Sequence, residues 1–112
     1  MIDAQTFQEL RELIPSDQWE IMLDSLFAPD SGDVALLTQL VAQGDNRQAI
    51  GDQAHKLKGA ALLMGLKALG QTAAELEHAA RRTQDTITTD WAERIQSLAI
   101  ATRNAARNQA QT

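Results

Sequence analysis

The sequence predicts an all-α protein, an up-and-down four-helix bundle with an additional short N-terminal helix. Apolar residues recur at spacings of three and four along most of the chain, which is the period of one helical face. Glycine and proline interrupt this pattern at short intervals, and no stretch alternates with period two for long enough to form a strand. With 112 residues, 44% of them hydrophobic, the chain fits a single domain over residues 1–112.

Two helices are predicted before the first long interruption. The first covers residues 4–13, with Asp3 in the N-cap position, and Pro15 ends it. The second begins after Asp17, whose spacing to Glu20 is that of a capping box. The inward-facing apolar residues are Phe7, Leu10 and Ile14 in the first helix and Trp19, Met22, Leu23, Leu26 and Phe27 in the second.

The segment from Ala28 to Gly32 interrupts the second helix, and its Pro29 either breaks or kinks the pattern. The sequence leaves these two alternatives open. The apolar rhythm then resumes with Val34, Leu37, Leu40 and Val41. It stops at Gly44, a residue suited to the position just after a helix.

Three more helices complete the bundle. Asp45 or Asn46 caps the third predicted helix, which runs to about residue 64 and ends at Gly65. The fourth predicted helix follows and ends at Arg82. Residues 83–89 connect it to the last helix. Asp90 and Glu93 again have capping-box spacing, and residues 108–112 are expected to fray. The core positions are Ile50, Ala54, Leu57, Ala61 and Met64, then Leu66, Leu69, Ala73, Leu76 and Ala80, then Trp91, Ile95, Leu98, Thr102 and Ala105.

Composition narrows the function classes. The chain has no cysteine, which excludes disulfides, thiolate metal sites and catalytic thiols. A net charge of −5 argues against nucleic acid as the main partner, because phosphate binding needs a basic surface. No apolar run approaches a membrane span, and the N-terminus lacks the pattern of a signal peptide. We therefore expect a cytoplasmic protein without membrane association, and a monomer because the apolar residues are largely used by the bundle seam.

One face of the third predicted helix is not explained by the core. At about 100° per residue, seven residues lie within roughly 60° of the His55 direction, opposite the core stripe. They are Gln48, Gly51, Asp52, His55, Lys58, Gly59 and Leu62. Gly51 and Gly59 flank His55 one turn away on each side, and each costs up to about 1 kcal/mol relative to alanine in a helix. They predict open access to the imidazole, the alternative being the close approach of another helix.

Residues 54–65 read Ala-His-Lys-Leu-Lys-Gly-Ala-Ala-Leu-Leu-Met-Gly. This stretch resembles the signature of histidine phosphotransfer domains, His-x-Leu-Lys-Gly followed by small residues and a glycine. The matching residues are His55, Leu57, Lys58, Gly59, Ala61 and Gly65, and the resemblance extends loosely over the whole chain. Departures are Ala60, Leu62 and Leu63, where many members have serine or smaller residues, and the interruption of the second helix.

The resemblance implies a four-helix bundle in which His55 accepts a phosphoryl group from a receiver-domain aspartate and passes it to another receiver. The partners would be receiver domains of response regulators or hybrid histidine kinases. The domain would have no ATP site, no kinase activity and no cofactor, since metal and acidic groups come from the receiver. Lys58 would stabilise the phosphoryl group, and Leu62, Gln48 and Asp52 would belong to the docking surface.

Members of this family hold the second imidazole nitrogen with a polar side chain of the next helix. By register that residue is Glu77, with Arg81 one turn further on. The alternative is an ordinary exposed Glu–Arg pair at spacing four.

Other interpretations remain open. The chain could be a helical interaction module without phosphate chemistry, or a metal protein using His55 and His78, although it lacks a His-x-x-x-His or Glu-x-x-His pair. His78, without a neighbouring Lys-Gly, is predicted to be a structural or surface residue. The chain could also be the phosphotransfer domain of a hybrid or chemotaxis kinase; the initial Met and the complete bundle favour a stand-alone protein.

Overall fold

The computed structural model describes residues 4–44, 46–82 and 87–111, and all regular secondary structure in them is α-helix. The predicted all-α class is therefore confirmed. The helices are α1 (Ala4–Leu13), α2 (Ser16–Phe27), α3 (Asp33–Gln43), α4 (Arg47–Leu63), α5 (Lys67–Arg81) and α6 (Asp90–Gln111).

Helices α3 to α6 form a ring in which each contacts two neighbours: α3 packs on α4, α4 on α5, α5 on α6 and α6 on α3. Helix α2 packs against α3, α4 and α6. The ring encloses one apolar cluster to which every helix contributes, and the predicted Leu57, Ala61 and Leu76 are fully buried in it. In α6 the buried side includes Ala99 and Ala106, whereas the predicted Leu98 and Ala105 are only partly buried.

The interruption at residues 28–32 breaks the helix, which answers the question that the sequence left open. Helix α2 ends at Phe27 and α3 begins at Asp33, with Gly32 as its N-cap. Gly32 donates its backbone N–H to the carbonyl of Ala28 at 3.0 Å, so the chain folds back tightly at this corner. A Cβ atom at Gly32 would lie 2.6 Å from the nitrogen of Ala28 and 2.7 Å from the oxygen of Leu26. Glycine is required here by space, since its φ of −70° suits any residue.

The helix ends differ from the sequence interpretation in several places. Asp17 lies inside the first turn of α2, with Pro15 in the N-cap position, so the predicted cap is wrong. A proline at this position has no backbone N–H that needs a hydrogen-bond partner, and its ring fixes φ and so the direction in which the chain enters the helix. Asp90 is likewise the first residue of α6, and α6 continues to Gln111 beyond the expected fraying point.

Other predicted ends agree with the structure. The side chain of Asn46 accepts a hydrogen bond from the N–H of Ala49 at 3.0 Å, as an N-cap should. The predicted roles of Asp3 and Asp45, and residues 83–86 of the predicted connection, lie outside the described residues.

Gly65 ends α4 with a left-handed φ of 77°. The N–H of Leu66 bonds to the carbonyl of Ala61, and that of Gly65 to Leu62, which is the Schellman pattern. This reversal lets α5 return along α4, and the two helices make the most extensive helix–helix contact of the structure. The contact is what brings side chains of α5 beside the His55 face.

We predict opposite effects for alanine at two glycines. Gly32→Ala should lower the free energy of unfolding by about 1–3 kcal/mol, because the new methyl group meets backbone atoms that cannot move independently. Gly59→Ala should raise it by about 0.5–1 kcal/mol, because a Cβ there meets nothing within 4 Å and alanine favours helix. Urea unfolding followed by fluorescence of the buried Trp19 measures both. Equal effects of the two variants would show that the Gly32 corner adapts.

Candidate functional site

His55 lies midway along α4 on the side facing solvent, and 63% of its side-chain surface is exposed. Leu57 and Ala54 are fully buried and turn the opposite side of α4 into the core. The helical register that buries the apolar series therefore places the imidazole outside, as the sequence predicts.

The Glu77 carboxylate of α5 joins three side chains at this site. Its Oε2 lies 3.0 Å from His55 Nδ1 and accepts a hydrogen bond from Arg81 Nε at 3.2 Å. Its Oε1 accepts a hydrogen bond from Lys58 Nζ at 3.1 Å. The Glu77 side chain is only 15% exposed, so the carboxylate is the most enclosed polar group of the cluster.

The surroundings of Glu77 keep its carboxyl ionised. Burial alone would raise the pKa of Glu77, but the hydrogen bonds from Lys58 and Arg81 and the charges of His55 and Lys58 outweigh it, so the pKa lies below its usual value. An ionised carboxylate only accepts hydrogen bonds. Nδ1 of His55 therefore carries a proton in this contact, and when the ring is neutral Nε2 is the nitrogen with a free electron pair.

Arg81 extends the cluster toward the N-terminus of α4. Its second amino group donates to Asp52 Oδ1 at 3.4 Å. The same side chain covers Gly51, because a Cβ on Gly51 would lie 3.5 Å from the guanidinium carbon. The predicted open access is therefore wrong at Gly51, which is buried where α5 approaches, the alternative named for that glycine.

Gly59 is different, since it is exposed and a Cβ there would meet nothing within 4 Å. Lys58 is half-buried and directed toward α5 by its bond to Glu77. The two sides of His55 thus differ: charged side chains fill the side toward α5, and the turn toward the C-terminus of α4 is bare.

The predicted docking residues occupy separate places. Gln48 and Asp52 are exposed on α4, N-terminal to His55. Leu62 is 45% exposed, but its side chain folds over α5, where a Cβ on Gly70 would lie 2.6 Å from Leu62 Cδ2. Gly70 therefore gives Leu62 the space to pack between the two helices.

Sequence reasoning missed a second pair of side chains beside the histidine. Lys56 Nζ lies 3.4 Å from Asp33 Oδ1, and Asp33 is buried at the start of α3. Gln53 donates to the backbone carbonyl of Asp33 at 3.0 Å. These contacts tie the other flank of the His55 face to the corner at residues 28–32. The sequence gives no signal for the Lys56–Asp33 contact, because a lysine at this position is expected to be an ordinary solvated surface charge.

The structure also reveals an apolar groove of about 280 Å³ between α2 and α4. Ile21 of α2 and Leu63 of α4 line it and are 66% and 67% exposed. The rest of the lining is Met22, Ser25, Leu26, Ala60 and Met64. The sequence signal was present, since Ile21 and Leu63 are large apolar residues outside the core stripes of their helices.

His78 is exposed on α5, in agreement with the prediction of a surface or structural residue. Among the residues that the structure describes, no group of three His, Cys, Asp or Glu side chains is arranged to hold a metal ion. None of the helices in the same part of the chain is long and apolar enough to cross a membrane.

Comparison with known proteins adds one finding. No curated protein and no solved structure gives a significant match to the chain. The sequence model of the Hpt domain family, however, matches residues 3–105. This match spans nearly the whole chain and includes α4 with His55 and α5 with Glu77. The chain therefore belongs to the Hpt domain family, whose members are phosphotransfer modules of two-component signalling.

Proposed function

We propose that His55 accepts a phosphoryl group from the aspartate of one receiver domain and donates it to the aspartate of another. The observation that supports this most directly is the hydrogen bond between His55 Nδ1 and Glu77 on an otherwise exposed imidazole. The bond orients the ring and leaves Nε2 toward solvent, where among the described residues it has no hydrogen-bond partner.

Phosphoryl transfer from the aspartyl phosphate of a receiver to His55 needs no further reactant. The electron pair of Nε2 forms a P–N bond as the P–O bond of the aspartyl phosphate breaks, and the aspartate leaves as a carboxylate. Nε2 has no proton to lose, because the proton of the neutral ring lies on Nδ1. The ring gains positive charge as the bond forms, and the nearby Glu77 carboxylate stabilises that charge. Transfer to the second receiver is the reverse of these steps.

Lys58 and Gly59 have distinct proposed roles. The Lys58 ammonium lies one helical turn from His55, and its flexible stem allows it to exchange Glu77 for a phosphoryl oxygen. Gly59 leaves space beside the imidazole for the partner. The domain acts as a phosphoryl carrier without kinase activity, and it does so as a monomer in the cytoplasm. The same chemistry would serve a stand-alone shuttle or a domain of a larger kinase.

The apolar groove is part of the proposed receiver-docking surface. Leu63 lies two turns from His55, about 12 Å along α4 and about 80° around it. A protein interface of about 800 Å² per partner has a radius of about 16 Å, so a receiver centred on His55 also covers the groove. An apolar side chain of the receiver, placed beside its aspartate, would bury Ile21 and Leu63. Gln48 and Asp52 would contribute to the polar rim on the other side.

Phosphoryl transfer from labelled receivers tests the function directly. Incubation with candidate phosphorylated receivers should produce an acid-labile, base-stable label on this chain, and ATP alone should produce none. His55→Gln should abolish the label, because the nucleophile is lost. His78→Gln is the matched control and should accept label normally, since it removes the other exposed histidine. Normal labelling of the His55→Gln protein would refute the assignment and leave the helical interaction module as the better interpretation.

The docking surface has its own test. Leu63→Ser and Ile21→Ser should each weaken receiver binding, and the double variant should raise the Kd by about tenfold or more, because buried apolar area is lost. Ile100→Ser is the control, since Ile100 is 60% exposed but lies on α6, away from the groove. Binding can be followed by calorimetry with an unphosphorylated receiver. Equal Kd values for the groove variants and the control would place the receiver elsewhere.

The lowered pKa of Glu77 predicts a pH-dependent contribution to stability. The folded state holds the carboxylate ionised, so stabilisation is fully present above the ordinary glutamate pKa of about 4.3 and is lost as the pH falls through the lower folded value. Glu77→Gln should therefore destabilise the protein at pH 7, and the difference from the natural protein should vanish in acid. Glu75→Gln, which alters an exposed pair with Arg94, is the control. A Glu77→Gln difference that is independent of pH would show that packing, not charge, is responsible.

A further inference from the structure

Contacts between α4 and α5 recur along the whole length of the antiparallel pair. Gly51 lies under Arg81, His55 meets Glu77, and Leu62 lies over Gly70. Between these three pairs, each rise in residue number along α4 is matched by an equal fall along α5. The His55–Glu77 contact is therefore one step of a register that the two helices share, and it is lost if they shift.

Arg47 closes one end of this register. It is the first residue of α4, and its guanidinium donates to the carbonyl oxygen of Ala79 at 2.8 Å and to that of Arg82. These carbonyls belong to the last turn and the C-cap of α5, and that of Ala79 also accepts a hydrogen bond from the N–H of Arg82 at 3.3 Å. The same contacts place a cation at the negative end of the α5 dipole.

The position of Arg47 is unfavourable for its own helix. A cation in the first turn of α4 lies at the positive end of the α4 dipole, and none of the residues in that turn is acidic. An arginine there is explained by what it binds on α5. Both contacts are made by one terminal nitrogen of the guanidinium, which carries two N–H groups and so can bridge the two carbonyl oxygens.

We propose, on the basis of the proposed function, that Arg47 is a positioning residue for phosphoryl transfer. It fixes the end of α5 against the start of α4 and so holds Glu77 opposite His55 Nδ1. A slip of one residue along α5 would move Glu77 by about 1.5 Å along the axis and turn it by about 100°. The Leu62–Gly70 contact holds the other end, so that both ends of the pair set the geometry between them.

The direct readout is the tautomer of His55, measured by ¹⁵N NMR on the full chain at a pH where the ring is neutral. The charged groups facing this ring are Asp52, Lys56 and Lys58 of α4, Glu77 and Arg81 of α5, and Asp33 of α3 through its bond to Lys56. Arg47→Met should decrease the Nδ1–H population of His55, and Arg47→Lys should decrease it less. The exposed His78 is an internal reference in the same spectra.

Phosphoryl acceptance from a labelled receiver should slow by about three- to tenfold in Arg47→Met, and by no more than in Glu77→Ala. In the Glu77→Ala background, Arg47→Met should cause no further slowing, because its effect passes through Glu77. Arg94→Met is the matched control: it removes an arginine that also binds α5, through Glu75, and should change neither tautomer nor rate.

The outcomes separate this proposal from the proposed function. If Arg47→Met lowers only the urea midpoint and leaves the His55 tautomer unchanged, Arg47 is a helix cap and the positioning role is refuted. Additive slowing in the Glu77→Ala background refutes it as well. A chain that accepts no label in any form overturns the proposed function, whereas the tautomer experiment still decides whether Arg47 positions Glu77.

Discussion

The Glu77 carboxylate accepts hydrogen bonds from His55, Lys58 and Arg81, and the arrangement of the site depends on this one group. Three donors around one carboxylate need two helices held in fixed register, because Glu77 and Arg81 come from α5 and the others from α4. A carboxylate that is largely enclosed is stable only when its charge is compensated. The cations that compensate Glu77 are also the groups that a phosphoryl group would need nearby. Stability and proposed chemistry therefore place the same demand on the α4–α5 pair.

The buried core also fixes the register of α4 and α5, from the side opposite the His55 face. Leu57 and Ala61 of α4 and Leu76 and Ala73 of α5 are fully buried, and their alternation of large and small side chains sets how the helices interlock. Leu76 immediately precedes Glu77, so the packing of one fixes the direction of the other. The Schellman turn at Gly65 completes the constraint, since it determines where α5 begins relative to the end of α4.

Much of this could be predicted from the sequence, because helical periodicity determines which side of each helix is buried. The exposure of His55 and the burial of Leu57 both follow from one register. The alternatives at Gly51 could not be resolved, because they depend on which neighbour approaches and how far the Arg81 side chain extends. The break at residues 28–32 was also open, since a proline can kink a helix or end it; the steric requirement at Gly32 comes from backbone atoms of Leu26 and Ala28 that only the folded corner brings together.

The role of Arg47 and the apolar groove were missed for the same reason, although each had a local signal in the sequence. An arginine in the first turn of a helix opposes the dipole, and Ile21 and Leu63 fall outside the apolar stripes. Such exceptions can be interpreted only when the neighbouring helix is known.

The surroundings of His55 are asymmetric. Charged side chains and Leu62 cover the α5 side, while the α2 side is open and apolar. Under the proposed function, a receiver would approach with an apolar surface toward α2, because on the α5 side it would have to displace hydrogen-bonded charges.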